Sequence, residues 1–149
     1  MAYQRILVPV DGSATSNRGL KEALELAKAV GGQLLVVHVV ENAPLIAAPE
    51  AATYLPQLVD DLRAAGSKVV KTAKSRAEKA GIACETFVVE TAGRPVYESI
   101  VAEARRRKAN VIVLGTHGRR GLARVLMGSD AEGVVRESSV PVMLVRGPA

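Results

Sequence analysis

The sequence predicts an α/β domain built on a doubly wound, five-stranded parallel sheet of strand order 3-2-1-4-5, with helices on both faces. Two observations carry this. Short apolar runs alternate with segments of helical period along the whole chain, which is the pattern of a parallel sheet covered by crossover helices. The runs are continuous in hydrophobicity and not alternating, as expected for strands buried on both sides. Right-handed crossovers then leave few topologies. No linker-like stretch divides the 149 residues, so 1–149 reads as a single domain, in line with the usual length of about 100–200 residues per domain.

Each element has its local reason. Ile6-Leu-Val-Pro-Val10 reads as a buried strand running into the polar turn Asp11-Gly12-Ser13. From about Ser16 to Val30 the apolar positions Leu20, Ala23, Leu24, Ala27 and Val30 have helical spacing, and Gly31-Gly32 supplies the stop. Gln33 to Val40 is the second strand. Residues 41–53, with Pro44, Pro49 and many alanines, read as a loop. A long helix is predicted from about Tyr54 to Ala80, with Leu55, Leu58, Val59, Leu62, Val69 and Ala73 inward and Gly81 ending it. Ala83 to Val89 is the third strand. Thr91-Ala-Gly-Arg-Pro95 opens a helix whose inner stripe is Val96, Ile100 and Ala104, with Pro95 suited to its first turn. Val111 to Leu114 is the fourth strand, ending at Gly115; a glycine-rich loop covers 116–128. A short helix from about Ser129 to Glu137 and a last strand, Pro141 to Val145, complete the chain.

Composition excludes several classes of protein. Hydrophobic residues make up 48% of the chain and charged residues 23%, enough apolar material for a core and too much for whole-chain disorder. One cysteine cannot form an internal disulfide, and one cysteine with two histidines falls short of a structural zinc site. Aromatics at 3% with no Trp argue against stacking platforms for RNA. The longest apolar run, Leu34 to Val40, is far shorter than the roughly 20 residues of a membrane span, and the N-terminus has no signal-peptide pattern. A cytoplasmic protein is expected. The formal charge of +5 favours anionic partners in general, without specifying one.

The chemistry is expected at the carboxyl ends of the strands where the order reverses, between strands one and four. The turns leaving those strands, Asp11-Gly12-Ser13 and Gly115-Thr-His-Gly118, are the most polar and glycine-rich in the chain. The second opens the run Gly115 to Ser129, of pattern G-x2-G-x9-G-S. Two readings stand side by side. The glycines serve turns and helix caps, or they let backbone N–H groups approach an anion, with Gly128-Ser129 opening a helix whose free amides and positive dipole end suit a phosphate. The run is neither a Walker loop nor G-x-G-x-x-G.

VPVDGS near the N-terminus, VVHVVE at strand two, and VLGTHGRRGLARVLMGSDAEGVV followed by VPVMLVR resemble the universal stress protein family over essentially the whole chain. The resemblance implies a Rossmann-like fold of the same strand order, a homodimer, and membership of the motif-bearing branch that binds ATP. By position it places Pro9, Val10 and Asp11 at the adenosine end and Val39 near the base. Gly115, His117 and Gly118 fall by the ribose and first phosphates. Gly128, Ser129, Asp130 and Ala131 fall at the outer phosphates. Asp130 departs from the small or apolar residue common there; beside a polyphosphate it repels unless it points away or meets a divalent cation such as Mg2+ or Mn2+.

Plainer roles compete at several positions. Asp11 can cap its turn or the first helix, and His117 can be a solvated loop residue. His38, inside an apolar strand, reads as a core histidine, and Cys84 as a buried, inert thiol. Arg119, Arg120 and Arg124 divide between phosphate neutralisation and a solvated flap. Arg105 to Lys108 offsets the negative end of its helix; Lys68, Lys71, Lys74, Arg76 and Lys79 form a solvated face. The function expected is an ATP-binding stress-response or regulatory module. The rivals are a slow ATPase or phosphotransferase, which lacks an evident base, catalytic lysine or acidic metal pair, and a basic nucleic-acid-associated protein, which only the charge supports. The apolar last strand, Pro141 to Val145, is an edge that a second copy of the chain would cover.

Overall fold

The computed structural model describes residues 2–41, 55–116 and 128–147. Its elements are β1 (Arg5–Pro9), α1 (Ala14–Val30), β2 (Gln33–Val40), α2 (Leu55–Lys79), β3 (Cys84–Glu90), α3 (Val96–Arg106), β4 (Val111–Thr116), α4 (Ser129–Glu137) and β5 (Val142–Arg146). The strands form one five-stranded sheet of order β3-β2-β1-β4-β5, and every adjacent pair is parallel. The topology expected from the sequence is the one observed.

Alternate residues of the central strands feed two cores. Ile6, Val8, Leu34, Val36, Val111 and Val113 face α1 and α2, meeting Leu20, Ala23, Ala73 and Ala77. Leu7, Leu35, Val37, Ile112 and Leu114 face α3 and α4, meeting Ile100, Ala104, Ala131 and Val134. Leu7, Leu35 and Ile112 are fully buried; truncating a leucine in such a position to alanine typically costs about 2–5 kcal/mol.

Helix ends follow local chemistry. Ser13 caps α1, its hydroxyl accepting from the Ser16 N–H, and Gly31 closes the helix at φ +69°, a left-handed conformation that glycine adopts without Cβ strain. Pro95 sits just before α3 as its N-cap. At the opposite end of the sheet the chain is tied shut. Arg5 receives a bond from Asn110 N–H to its carbonyl and donates its own N–H to Asn110 Oδ1. The carboxyl ends of the strands are the open ones.

Several expectations shift. β1 begins and ends one residue earlier than read, and β4 runs on through Thr116, so Gly115 is a strand residue. Leu58 and Leu62, expected inward, are exposed; the inner face of α2 is Gly66, Val70, Ala73 and Ala77. Length explains this. A 25-residue helix is about 37 Å long, whereas the 8-residue β2 reaches only about 26 Å, so the first turns of α2 overhang the sheet. The side chain of Leu55, the 41–53 loop beyond Glu41 and the glycine-rich loop between Thr116 and Gly128 lie outside the described residues.

Candidate functional site

A cavity of about 390 Å³ opens where β1 and β4 lie side by side and diverge to opposite edges. That size is within the usual range of small-molecule sites, about 300–1,000 Å³. The ends of β1 (Pro9, Val10) and β4 (Leu114, Gly115, Thr116) form its back. Val39 at the end of β2 and Val96 and Ile100 of α3 give it an apolar wall, and the first residues of α4 close the far side.

The sequence placed Pro9, Val10, Asp11, Val39, Gly115, Gly128, Ser129, Asp130 and Ala131 in the site, and all nine line this one cavity. His117 and Gly118 lie outside the described residues, as do Arg119, Arg120 and Arg124. The sequence reading missed Ser13, Thr15, Ser16 and Glu41. Ser13 belongs to the polar turn Asp11-Gly12-Ser13 already singled out, and Ser16 was read as the start of the first helix. The signal for Glu41 was its place at the exit of a buried strand.

The β1 turn is held by its own side chains. Ser13 N–H donates to Asp11 Oδ1 at 2.9 Å, and Asp11 N–H donates to Ser16 Oγ at 3.2 Å. Burial pushes the Asp11 carboxyl up, but the Ser13 hydroxyl and N–H, the Ser16 hydroxyl and the nearby charge of His38 outweigh it and hold the group below its usual value. A carboxyl depressed in the folded state adds stability that is complete above its unfolded pKa of about 3.9 and is lost as pH falls through the lower folded value. Asp11→Asn is therefore expected to flatten the acid limb of stability below about pH 4. Urea midpoints measured from neutral pH down to this limb check it; superimposable profiles would contradict it.

The α4 end is different. Gly128 is its N-cap, and among the described residues no side chain bonds to the first-turn amides. The first helical bond is Glu132 N–H to the Gly128 carbonyl. The N–H groups of Ser129, Asp130 and Ala131 thus begin the helix at the cavity rim with no side-chain cap among the described residues. These are the orphan donors, at the positive end of the dipole, that suit an anion. The cavity also carries three carboxylates, Asp11, Glu41 and Asp130, and no Lys, Arg or His among its described lining residues. Among the described residues, no group of three or more His, Cys, Asp or Glu side chains could hold a metal ion.

Gly115 has a structural reason to be glycine. A Cβ there would run into the Thr15 carbonyl of α1, and a Cβ on Gly19 would come within 2.8 Å of Gly115 N. The helix and the strand meet backbone to backbone, and the far side of Gly115 borders the cavity. Cys84, expected to be buried, is half-buried, and burial pushes its thiol up to about 11, which favours the protonated form at neutral pH. Arg107 of the basic run stacks on Phe87 at 3.6 Å and bonds to Glu103, a packing role.

A doubly wound parallel sheet with a half-apolar, half-polar hollow at its switch point is a Rossmann-like α/β domain, the architecture in which ligands bind outside the carboxyl ends of the strands. The profile of the universal stress protein family matches residues 2–146, and the chain belongs to that family. A universal stress protein of Methanocaldococcus jannaschii is 35% identical over 147 residues, covering 98% of this chain and 84% of that protein. A universal stress protein solved in complex with cAMP is 28% identical with a TM-score of 0.66, covering 99% of this chain and all of that one. The universal stress protein from Archaeoglobus fulgidus in complex with dAMP is 25% identical with a TM-score of 0.67, covering 97% of this chain and 99% of that one.

Proposed function

We propose that this chain is a nucleotide-dependent stress-response module that binds ATP at the β1/β4 cavity. The first turn of α4 at the cavity rim, which no described side chain caps, is the observation that carries the reading. The base would lie against Val39, Val96 and Ile100, the ribose beside Asp11, and the outer phosphates on the amides of Ser129, Asp130 and Ala131. Mg2+ or Mn2+ would accompany the phosphates, their oxygens completing a shell that the described side chains do not supply. Two members of the family hold adenine mononucleotides, which supports the adenine end; the triphosphate is the further step. The described lining offers donors and apolar contacts but no lysine, arginine or histidine, so holding a nucleotide is the role its chemistry favours over transferring a phosphoryl group. Calorimetry with ATP and magnesium tests the reading, and mass spectrometry of whatever leaves the purified protein on denaturation tests it independently. Saturable binding at micromolar to millimolar ATP is expected; no heat and no thermal shift at millimolar nucleotide would defeat the proposal.

The same reading places the protein in the cytoplasm as one domain that pairs through β5. No helix among the described residues is long and apolar enough to cross a membrane. The β5 edge exposes Met143 and Leu144, and an open apolar edge invites a second strand. Leu144→Lys is expected to weaken a dimer by tenfold or more, since burying an unpaired charge costs more than about 1.4 kcal/mol. Sedimentation equilibrium reads this; a parent that sediments as a monomer at all concentrations would refute the dimer.

A further inference from the structure

A hydrogen bond reaches the cavity wall from the opposite side of the sheet. β2 alternates, so Val39 faces the cavity while His38 faces α2. There the His38 ring occupies space that only a glycine leaves: a Cβ on Gly66 would stand 2.5 Å from its Cδ2. From this seat Nδ1 lies 2.8 Å from the Val10 carbonyl oxygen. A carbonyl only accepts, so Nδ1 carries the proton.

The bonded carbonyl belongs to a particular peptide. Val10 N–H makes the last rung to the Val37 carbonyl at 2.8 Å, and beyond it the strand leaves the sheet for the Asp11 turn. The Val10–Asp11 peptide is therefore gripped at both ends, its C=O by His38 and its N–H by Ser16 Oγ. Rotation of that peptide plane would swing the Asp11 carboxylate away from the cavity. Val10 is 4% exposed, so water has little access to replace the histidine as donor.

We propose that His38 is a positioning residue of the nucleotide site: through the Val10 carbonyl it fixes the peptide that aims Asp11, without touching the ligand. The claim rests on the nucleotide reading above for its effect on binding, and on the hydrogen bond alone for its effect on the turn. It also gives α2 a mechanical link to the cavity, because Gly66 backs the ring.

The experiment compares the parent with His38→Leu and His38→Asn. Leucine fills space without a donor; the asparagine amide nitrogen falls near the place of Nδ1 and can donate to the same carbonyl. Loss of one hydrogen bond to a buried acceptor is expected to weaken ATP binding by about tenfold in His38→Leu, with His38→Asn within about threefold of the parent. Exchange of the Asp11 amide, measured without ligand, is expected to accelerate about tenfold in the leucine variant and to stay near the parent rate in the asparagine variant. Nitrogen-15 spectra of the parent ring are expected to show a proton on Nδ1. Equal ATP affinity in the parent and the leucine variant would overturn the proposal, as would a bare Nδ1 or asparagine failing to rescue at matched urea midpoints. If the parent binds no adenine nucleotide, the functional reading falls, and the Asp11 exchange rates still decide whether His38 holds the turn. If the leucine variant does not fold, the parent ring spectrum and the asparagine exchange rate decide it.

Discussion

Gly115→Ala is expected to lower the thermal midpoint by about 6–12 °C, the equivalent of about 3 kcal/mol for a chain of this size. One added methyl group has so large an effect because of what it meets. The Cβ would collide with the Thr15 carbonyl, a backbone atom in the first turn of a 17-residue helix. It cannot swing aside as a side chain would. Relief requires α1 to lift from β4, and Gly19 on the helix is itself packed onto Gly115 N, so the whole contact opens. Leu20 and Ala23, both buried on the same face, would lose packing with it. Gly133→Ala is a second test: the nearest atoms its Cβ would meet are Cγ, Cδ1 and Cδ2 of Tyr97, the root of a ring packed on the α3/α4 core, so it too is expected to lower the midpoint. Thermal unfolding of the two variants beside the parent checks both. A midpoint within about 2 °C of the parent for Gly115→Ala would mean that α1 and β4 are not pressed together as described.

That glycine also marks how far the sequence could be read. Its presence was legible, and so was its place near the switch point, because a buried strand followed by a polar, glycine-rich turn is a local pattern. The reason for it was not. Backbone contact between α1 and β4 joins residues about 100 positions apart, and no local signal encodes it. The strand order followed from alternation and handedness, which are properties of the whole chain. Helix phase followed where the helix lies over the sheet, at Ala73 and at Val69, which packs against the core, and failed at Leu58 and Leu62, where α2 overhangs and the apolar period no longer reports burial. His38 was read as a core residue with a partner, and it has one; that the partner is a cavity-wall carbonyl depends on how β1 and β2 register, Pro9 opposite Val37. The described residues matched to the family reached the cavity because they sit at or just beyond the end of a strand or at the start of a helix. Thr15 and Ser16 were missed as lining residues because α1 begins at Ala14, earlier than its apolar period suggests.

Asp130→Asn is expected to tighten binding of metal-free ATP by about three- to tenfold and to change binding far less when magnesium is in excess. Two effects of this carboxylate oppose each other. At the start of α4 it favours the helix, since an acidic residue in the first turn is worth about 0.3–1 kcal/mol against the dipole. Toward a phosphate on the same amides it is a like charge. At about 6 Å two unit charges interact by about 0.7 kcal/mol in bulk water and about 2.8 kcal/mol at an effective dielectric of 20. Asp130 is exposed, so the value lies toward the watery end, and the corresponding change in affinity is the three- to tenfold stated. Asp11 and Glu41 add negative charge to the same cavity, and the described lining supplies no side-chain cation to offset any of the three. On the proposed reading, a divalent cation on the phosphates would remove most of the repulsion and could offset it by meeting the Asp130 carboxylate. The two titrations, with magnesium and with chelator, would separate these states. Raising the ionic strength should shrink the chelator-side difference, because exposed charges are screened over about 8–10 Å at physiological salt. If the asparagine variant instead binds metal-free ATP as the parent does, or more weakly, the phosphates do not lie at the start of α4, and the cavity holds its ligand by the adenosine end alone.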